Sequence, residues 1–179
     1  MIKQPFKQGI LDGMCGFYSI INAIYYIKPT MTTVKAERLL RNMVKTRPNS
    51  FHKMFLDGTY LENIVDLLKH VINYEHGYGD INFSLPFEYD DFDDAYEYLA
   101  CLNEHVDGVN RVAILSIGAP WNHWTVAVKI DLKKEKLHLF DSYYGSKKEN
   151  VLEFKDLSLK KNCDMYHLFP EDTIIISKK

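Results

Sequence analysis

Three residues of this chain have the types and settings to act together in nucleophilic catalysis: Cys15 in Gly13-Met14-Cys15-Gly16, His123 in Asn122-His123-Trp124, and Asp141 in Leu139-Phe140-Asp141. A thiol attacks a carbonyl well only as a thiolate, so a catalytic cysteine needs an electropositive setting such as a helix N-terminus or an imidazolium neighbour. Gly13 and Gly16 let backbone or substrate come close to the sulfur, and the Cys15 amide is a candidate donor to an oxyanion. Gln8, a short way upstream, could add a side-chain N–H to the same hole. His123 is the candidate base and stands at the mouth of a strand, directly after the turn Gly118-Ala119-Pro120-Trp121-Asn122. A carboxylate beside an imidazole fixes its tautomer and stabilises the imidazolium, which is the third role in such a set.

The elements that must position these groups follow from periodicity. Phe17, Ile20, Ile21, Ile24 and Ile27 recur at helical steps, which predicts a buried helix opening at or just before Cys15 and closing before Pro29. A second helix is expected over Thr33 to Val44. Thr59 followed by Glu62 matches a capping box, and Leu61, Ile64, Val65, Leu68 and Ile72 then form one apolar face. A short strand is expected around Ile81 to Leu85. Asp90, Asp91, Asp93 and Asp94 suit a helix N-terminus ahead of Tyr96, Leu99, Ala100 and Leu102, although a patch for a basic partner would look the same. Strands are expected at Val112–Ile117, Trp124–Ile130, Leu137–Asp141 and Thr173–Ser177. A hairpin centred on Leu132 sets His123 directly opposite Asp141, and a slip of one residue would turn the two side chains to opposite faces.

The expected fold class is therefore α+β: a single domain over residues 1–179, with helices in about 1–110 packed on an antiparallel sheet in about 111–179. A net charge of −2 lacks the basic footprint of a nucleic-acid binder. No run of about 18 apolar residues suits a membrane span, and the first residues lack the apolar core of a signal peptide. The reading is a monomer with no membrane partner, made in the cytoplasm or exported by a specialised secretion system. Three widely separated cysteines argue against a disulfide framework, and no His-x-x-x-His or Cys-x-x-Cys spacing supports a metal. No cofactor is expected. Cys101 reads as helix core, Cys163 follows Lys160-Lys161, and His52, His70, His76, His105, His138 and His167 read as structural or solvent-exposed.

Gln8, Asp12-Gly13-Met14-Cys15-Gly16-Phe17-Tyr18, His123-Trp124 and Phe140-Asp141-Ser142 together resemble the papain-like cysteine peptidase superfamily, in the order Cys, His, acid. The compact N-terminal segment is similar to that of bacteriocin-leader peptidases. The His-Trp and Asp-Ser motifs are similar to those of SUMO-protease-like enzymes, relative to which this chain would be circularly permuted. The resemblance implies a papain-like fold, with Cys15 as nucleophile, His123 as base, Asp141 as its orienter and Gln8 in the oxyanion hole. One departure is that Gln8 lies seven positions before Cys15 where the family has six. The expected activity is hydrolysis of a peptide or isopeptide bond in a protein or peptide substrate. Gly13 and Gly16 beside the sulfur, with Trp121 and Trp124 bracketing the base, suggest a narrow substrate-binding slot suited to a Gly-Gly tail, as of a ubiquitin-like protein. A deamidating or transglutaminase-like effector would use the same triad, and a binding module could keep the shell without catalysis.

Overall fold

The structure is a computed structural model that describes residues 4–9, 12–47, 49–74, 77–143, 150–161 and 164–179. Among them are helices α1 (Cys15–Ile27), α2 (Thr33–Thr46), α3 (Phe51–Asp57), α4 (Leu61–Tyr74) and α5 (Ala95–His105). The strands are β1 (Ile81–Ser84), β2 (Arg111–Ile117), β3 (His123–Asp131), β4 (Lys136–Leu139), β5 (Val151–Glu153), β6 (Leu157–Ser158), β7 (Tyr166–His167) and β8 (Ile174–Lys178). Six of them make one antiparallel sheet in the order β1-β8-β2-β3-β4-β5, and β6 pairs with β7 as a short parallel ladder. The expected α+β class is what the chain adopts. The expected partition near residue 110 holds except at β1, which comes from the helical part and pairs with the last strand of the chain.

Each apolar stripe explains one packing contact. Phe17, Ile20, Ile21, Ile24 and Ile27 are buried to within 2% of full enclosure. They bring α1 onto Val112, Ile114, Val126, Ile174 and Ile176 of the sheet, in one cluster with residues of α2 and α4. Each such side chain contributes about 1.5–3 kcal/mol of transfer free energy. The opposite face of the sheet, with Ala113, Leu115, Ala127 and Ile175, is covered by α5 through Leu99 and Leu102. Helices thus cover both faces of the sheet.

Helix starts follow capping chemistry, with one correction. Asp94 accepts the Glu97 N–H at 2.9 Å while the Glu97 carboxylate accepts the Asp93 N–H at 2.8 Å, so the acidic run does open α5. The box expected at Thr59 and Glu62 does not form. Asn63 Oδ1 takes the Tyr60 N–H at 3.0 Å instead, and the Thr59 hydroxyl turns inward, buried without a hydrogen-bond partner among the described residues.

Candidate active site

His123 is the first residue of β3, and the turn before it is closed by the N–H groups of Trp121 and Asn122 on the Gly118 carbonyl, at 3.0 and 2.9 Å. Asn122 has φ +51°, in the left-handed region that asparagine tolerates better than most residues, and the chain swings through it into the strand. Asp141 follows β4. The register expected from a centre at Leu132 is not the one observed. At the turn Asp131 pairs with Lys136 and Lys129 with His138, but beyond a β-bulge at Val128 Ala127 pairs with Leu139. Phe140 then donates its N–H to the Val126 carbonyl at 2.7 Å. Carried one step on, that pairing sets Asp141 level with Thr125 and diagonal to His123. Had the turn register continued unbroken, Asp141 would have shared a face with Val126, away from His123.

The diagonal is short enough for a direct bond. His123 Nε2 lies 2.9 Å from one carboxylate oxygen of Asp141 and 3.2 Å from the other. The pair is enclosed, with His123 6% and Asp141 1% exposed. Asp141 Oδ1 also accepts the Tyr143 N–H at 2.6 Å, which locks the carboxylate rotamer. With Nε2 engaged, Nδ1 is the nitrogen left for Cys15, which lines the same cleft and whose thiol donates to the Gly13 carbonyl at 4.0 Å. Burial by itself would make the His123 ring a weaker base, but Asp141 and the Cys15 sulfur outweigh it and raise the pKa to about 9. Burial pushes the Asp141 carboxyl up, and the His123 hydrogen bond and charge overcome it, leaving Asp141 below the usual carboxylate range. Imidazolium and carboxylate are thus the favoured partners at neutral pH.

Cys15 is the first residue of α1, so the helix N-terminus is directed at its sulfur. It is buried, and opens on a cleft of about 200 Å³ that it shares with His123. The walls are residues 57–59 between α3 and α4, residues 116–118 at the end of β2, Trp124 and Phe169. The Trp124 indole N–H donates to the Thr59 carbonyl at 2.7 Å and joins the two walls.

The other predicted site residues fall as follows. Gly13 and Gly16 admit the protein's own chain: a Cβ on Gly13 would sit 2.8 Å from the Gly58 nitrogen, and one on Gly16 only 2.0 Å from the Thr59 hydroxyl. Gln8 is buried with its carbonyl oxygen accepting from the Ser142 hydroxyl at 3.1 Å, which turns its Nε2 toward the Asp12 carbonyl 3.5 Å away. Trp124 lines the cleft. Trp121 does not, and stacks instead on the His123 ring at 5.0 Å and 28°, with Tyr143 and Tyr166 around it. Cys101 is half-buried in α5, and His105 packs edge-on against Phe87. His167 bonds the Leu159 carbonyl. His76 and Cys163 lie outside the described residues.

Three contributors were not foreseen. Thr59 was assigned to a cap. Phe169 and Lys7 carry no motif; the Lys7 ammonium donates to the carbonyls of Asp141 and Tyr143, at 3.0 and 2.7 Å. Among the described residues no group of three or more His, Cys, Asp or Glu side chains could hold a metal ion, and no helix is long and apolar enough to cross a membrane. No family model matches the chain, and no curated protein or solved structure was found to match it.

Proposed function

We propose that this protein is a cysteine peptidase with a papain-like arrangement, cleaving a peptide or isopeptide bond through an acyl-enzyme. The observation that carries the reading is the buried pair of Asp141 and His123, bonded at 2.9 Å, with Cys15 on the same cleft as the imidazole. In this reaction the Cys15 proton resides on His123 Nδ1, completing the imidazolium, and the thiolate sulfur attacks the substrate carbonyl carbon. The resulting oxyanion is met by the Cys15 N–H, and Gln8 Nε2 joins as second donor by leaving the Asp12 carbonyl. His123 then protonates the departing amine, the thioester forms, and a water activated by His123 releases the acid and restores the thiol. Asp141 stabilises the imidazolium throughout. A cleft of about 200 Å³ with glycine backbone at 58 and 118 suits small residues next to the scissile bond, such as a Gly-Gly tail.

The test is iodoacetamide alkylation of each cysteine at pH 6.5, followed by mass spectrometry, in the native protein and in His123→Ala. Cys15 is expected to react fast in the first and about a hundredfold more slowly in the second. Equal rates in the two proteins would sink the proposal.

A further inference from the structure

Asp141, Ser142 and Tyr143 leave the sheet after β4, so their carbonyls have no ladder partner, yet all three are satisfied from one place. Lys7 Nζ donates to the carbonyls of Asp141 and Tyr143, and the Gln8 N–H donates to that of Ser142 at 3.0 Å. The segment that supplies these donors is itself fastened to α1. Asn22, fully buried in that helix, accepts the Phe6 N–H at 2.8 Å and returns a bond to the Phe6 carbonyl at 3.1 Å. Residues 6–8 therefore form a strap from the helix that begins with Cys15 to the segment that carries Asp141. An ammonium bridging two carbonyls two residues apart fixes the curvature of that segment, and with it the direction of the Asp141 side chain.

Resting on the peptidase reading above, we infer that Lys7 is a positioning residue: it holds Asp141 in line with His123 by clamping the main chain on both sides of Ser142. It touches neither the reacting sulfur nor the cleft. The titratable groups facing His123 are Asp141 from the segment after β4, Cys15 from α1 and Tyr143, whose ring lies edge-on at 6.0 Å.

Sign separates positioning from simple charge. Removing a nearby positive charge makes an imidazole easier to protonate, so if Lys7 acted only as a charge, Lys7→Met would raise the His123 titration midpoint. If Lys7 positions Asp141, Lys7→Met loosens the carboxylate and the midpoint falls, by about one pH unit, a tenfold fall in the ratio of imidazolium to imidazole at a given pH. The measurement is NMR titration of the His123 ring nitrogens in the native protein, Lys7→Met and Lys7→Arg, with thermal melts confirming that each is folded. Lys7→Arg keeps two donors on one planar group and is expected to restore the midpoint. An unchanged or raised midpoint in folded Lys7→Met overturns the inference, as does a failure of Lys7→Arg to rescue it. The titration needs no turnover, so this result stands apart from the alkylation test: a Cys15 that ignores His123 would end the peptidase reading and leave the clamp to be judged on the midpoint alone.

Discussion

The two ends of the β3–β4 hairpin are built on different principles. At the turn, Asp131–Lys136, Ile130–Leu137 and Lys129–His138 pair in regular antiparallel register, and the Lys134 N–H closes the loop on the Asp131 carbonyl at 3.2 Å. Charged groups there are partly or fully open to water, and Lys129 approaches Asp131 only to 3.8 Å. At the open end the register has shifted across a bulge, and beyond Phe140 the main chain is held by Lys7 and Gln8 rather than by β3. His123 and Asp141 are almost fully enclosed there. Ladder bonds hold the turn end, to β3 within the hairpin and to β5 along Lys136–His138, with the Phe154 N–H on the Glu135 carbonyl at 2.9 Å. The site end gives up ladder bonds for side-chain geometry and depends on segments remote in sequence. Exposed charges of the first kind contribute little to stability, whereas an enclosed hydrogen-bonded pair is costly to break.

The sharpest way to break the comparison is to remove the aspartate at each end. Asp141→Ala is expected to lower cleavage of a fluorogenic peptide selected from a library by about 10³-fold or more, because the imidazole loses both its orientation and its counter-charge. Asp131→Ala removes the turn contact to the Lys134 N–H, far from the cleft, and should leave cleavage unchanged, with a stability loss of about 0.5–1 kcal/mol in urea unfolding. Equal effects on cleavage would mean that the two ends do not differ as described.

The two tryptophans divide the site end further. Trp124 is 6% exposed and its indole bonds across the cleft to Thr59, so Trp124→Ala should cost about 3–5 kcal/mol in urea unfolding. Trp121 is only half-buried and covers the outer face of the His123 ring. Its loss should cost little stability but slow cleavage about tenfold, since water then reaches the imidazole and weakens its pairing with Asp141. A large loss of stability from Trp121→Ala, with cleavage intact, would reverse these assignments.

How much of this could be read beforehand follows the same divide. α1 was legible because five apolar residues at helical spacing leave no other structure that buries them all, and α5 because the acidic run through Asp94 suits a helix N-terminus ahead of Leu99 and Leu102; in the structure Asp94 and Glu97, three positions apart, cap it. At Thr59 and Glu62 the same spacing misled, since tertiary packing against Gly16 took the hydroxyl that a cap would have used. α3 has seven residues with only Met54 fully buried, too short a stripe to register as a period. β5 is a three-residue edge strand, equally brief. Cys15, His123 and Asp141 were legible as residue types in telling places. Their geometry was less so: the turn centres between Lys133 and Lys134 rather than on Leu132, and the bulge at Val128, with no Gly or Pro to announce it, brings Asp141 back to the His123 face on a diagonal. Lys7 was invisible because its partners are main-chain carbonyls, which carry no side-chain signature.

The smallest expected effect concerns how the stability of the enclosed pair depends on pH in the native protein. His123 is raised above its unfolded value of 6.5, so its contribution is fully present below pH 6.5 and is lost as pH rises through the folded value. Asp141 is lowered from 3.8, so its contribution is present above pH 3.8 and is lost as pH falls through its folded value. The two windows leave a plateau between about pH 4 and 6.5 in which the pair contributes in full. Urea unfolding of the native protein at pH 6 and pH 9 should differ by about 1 kcal/mol more than the same pair of measurements on Asp141→Asn, which keeps the shape but removes the counter-charge. A matching decline in both proteins would place the pH dependence elsewhere in the molecule. Substituting Asp131 in the native protein, at the hairpin's other end, should leave the plateau and its edges where they are, because among the described residues that carboxylate is paired only with the exposed Lys129 and a turn N–H, away from His123.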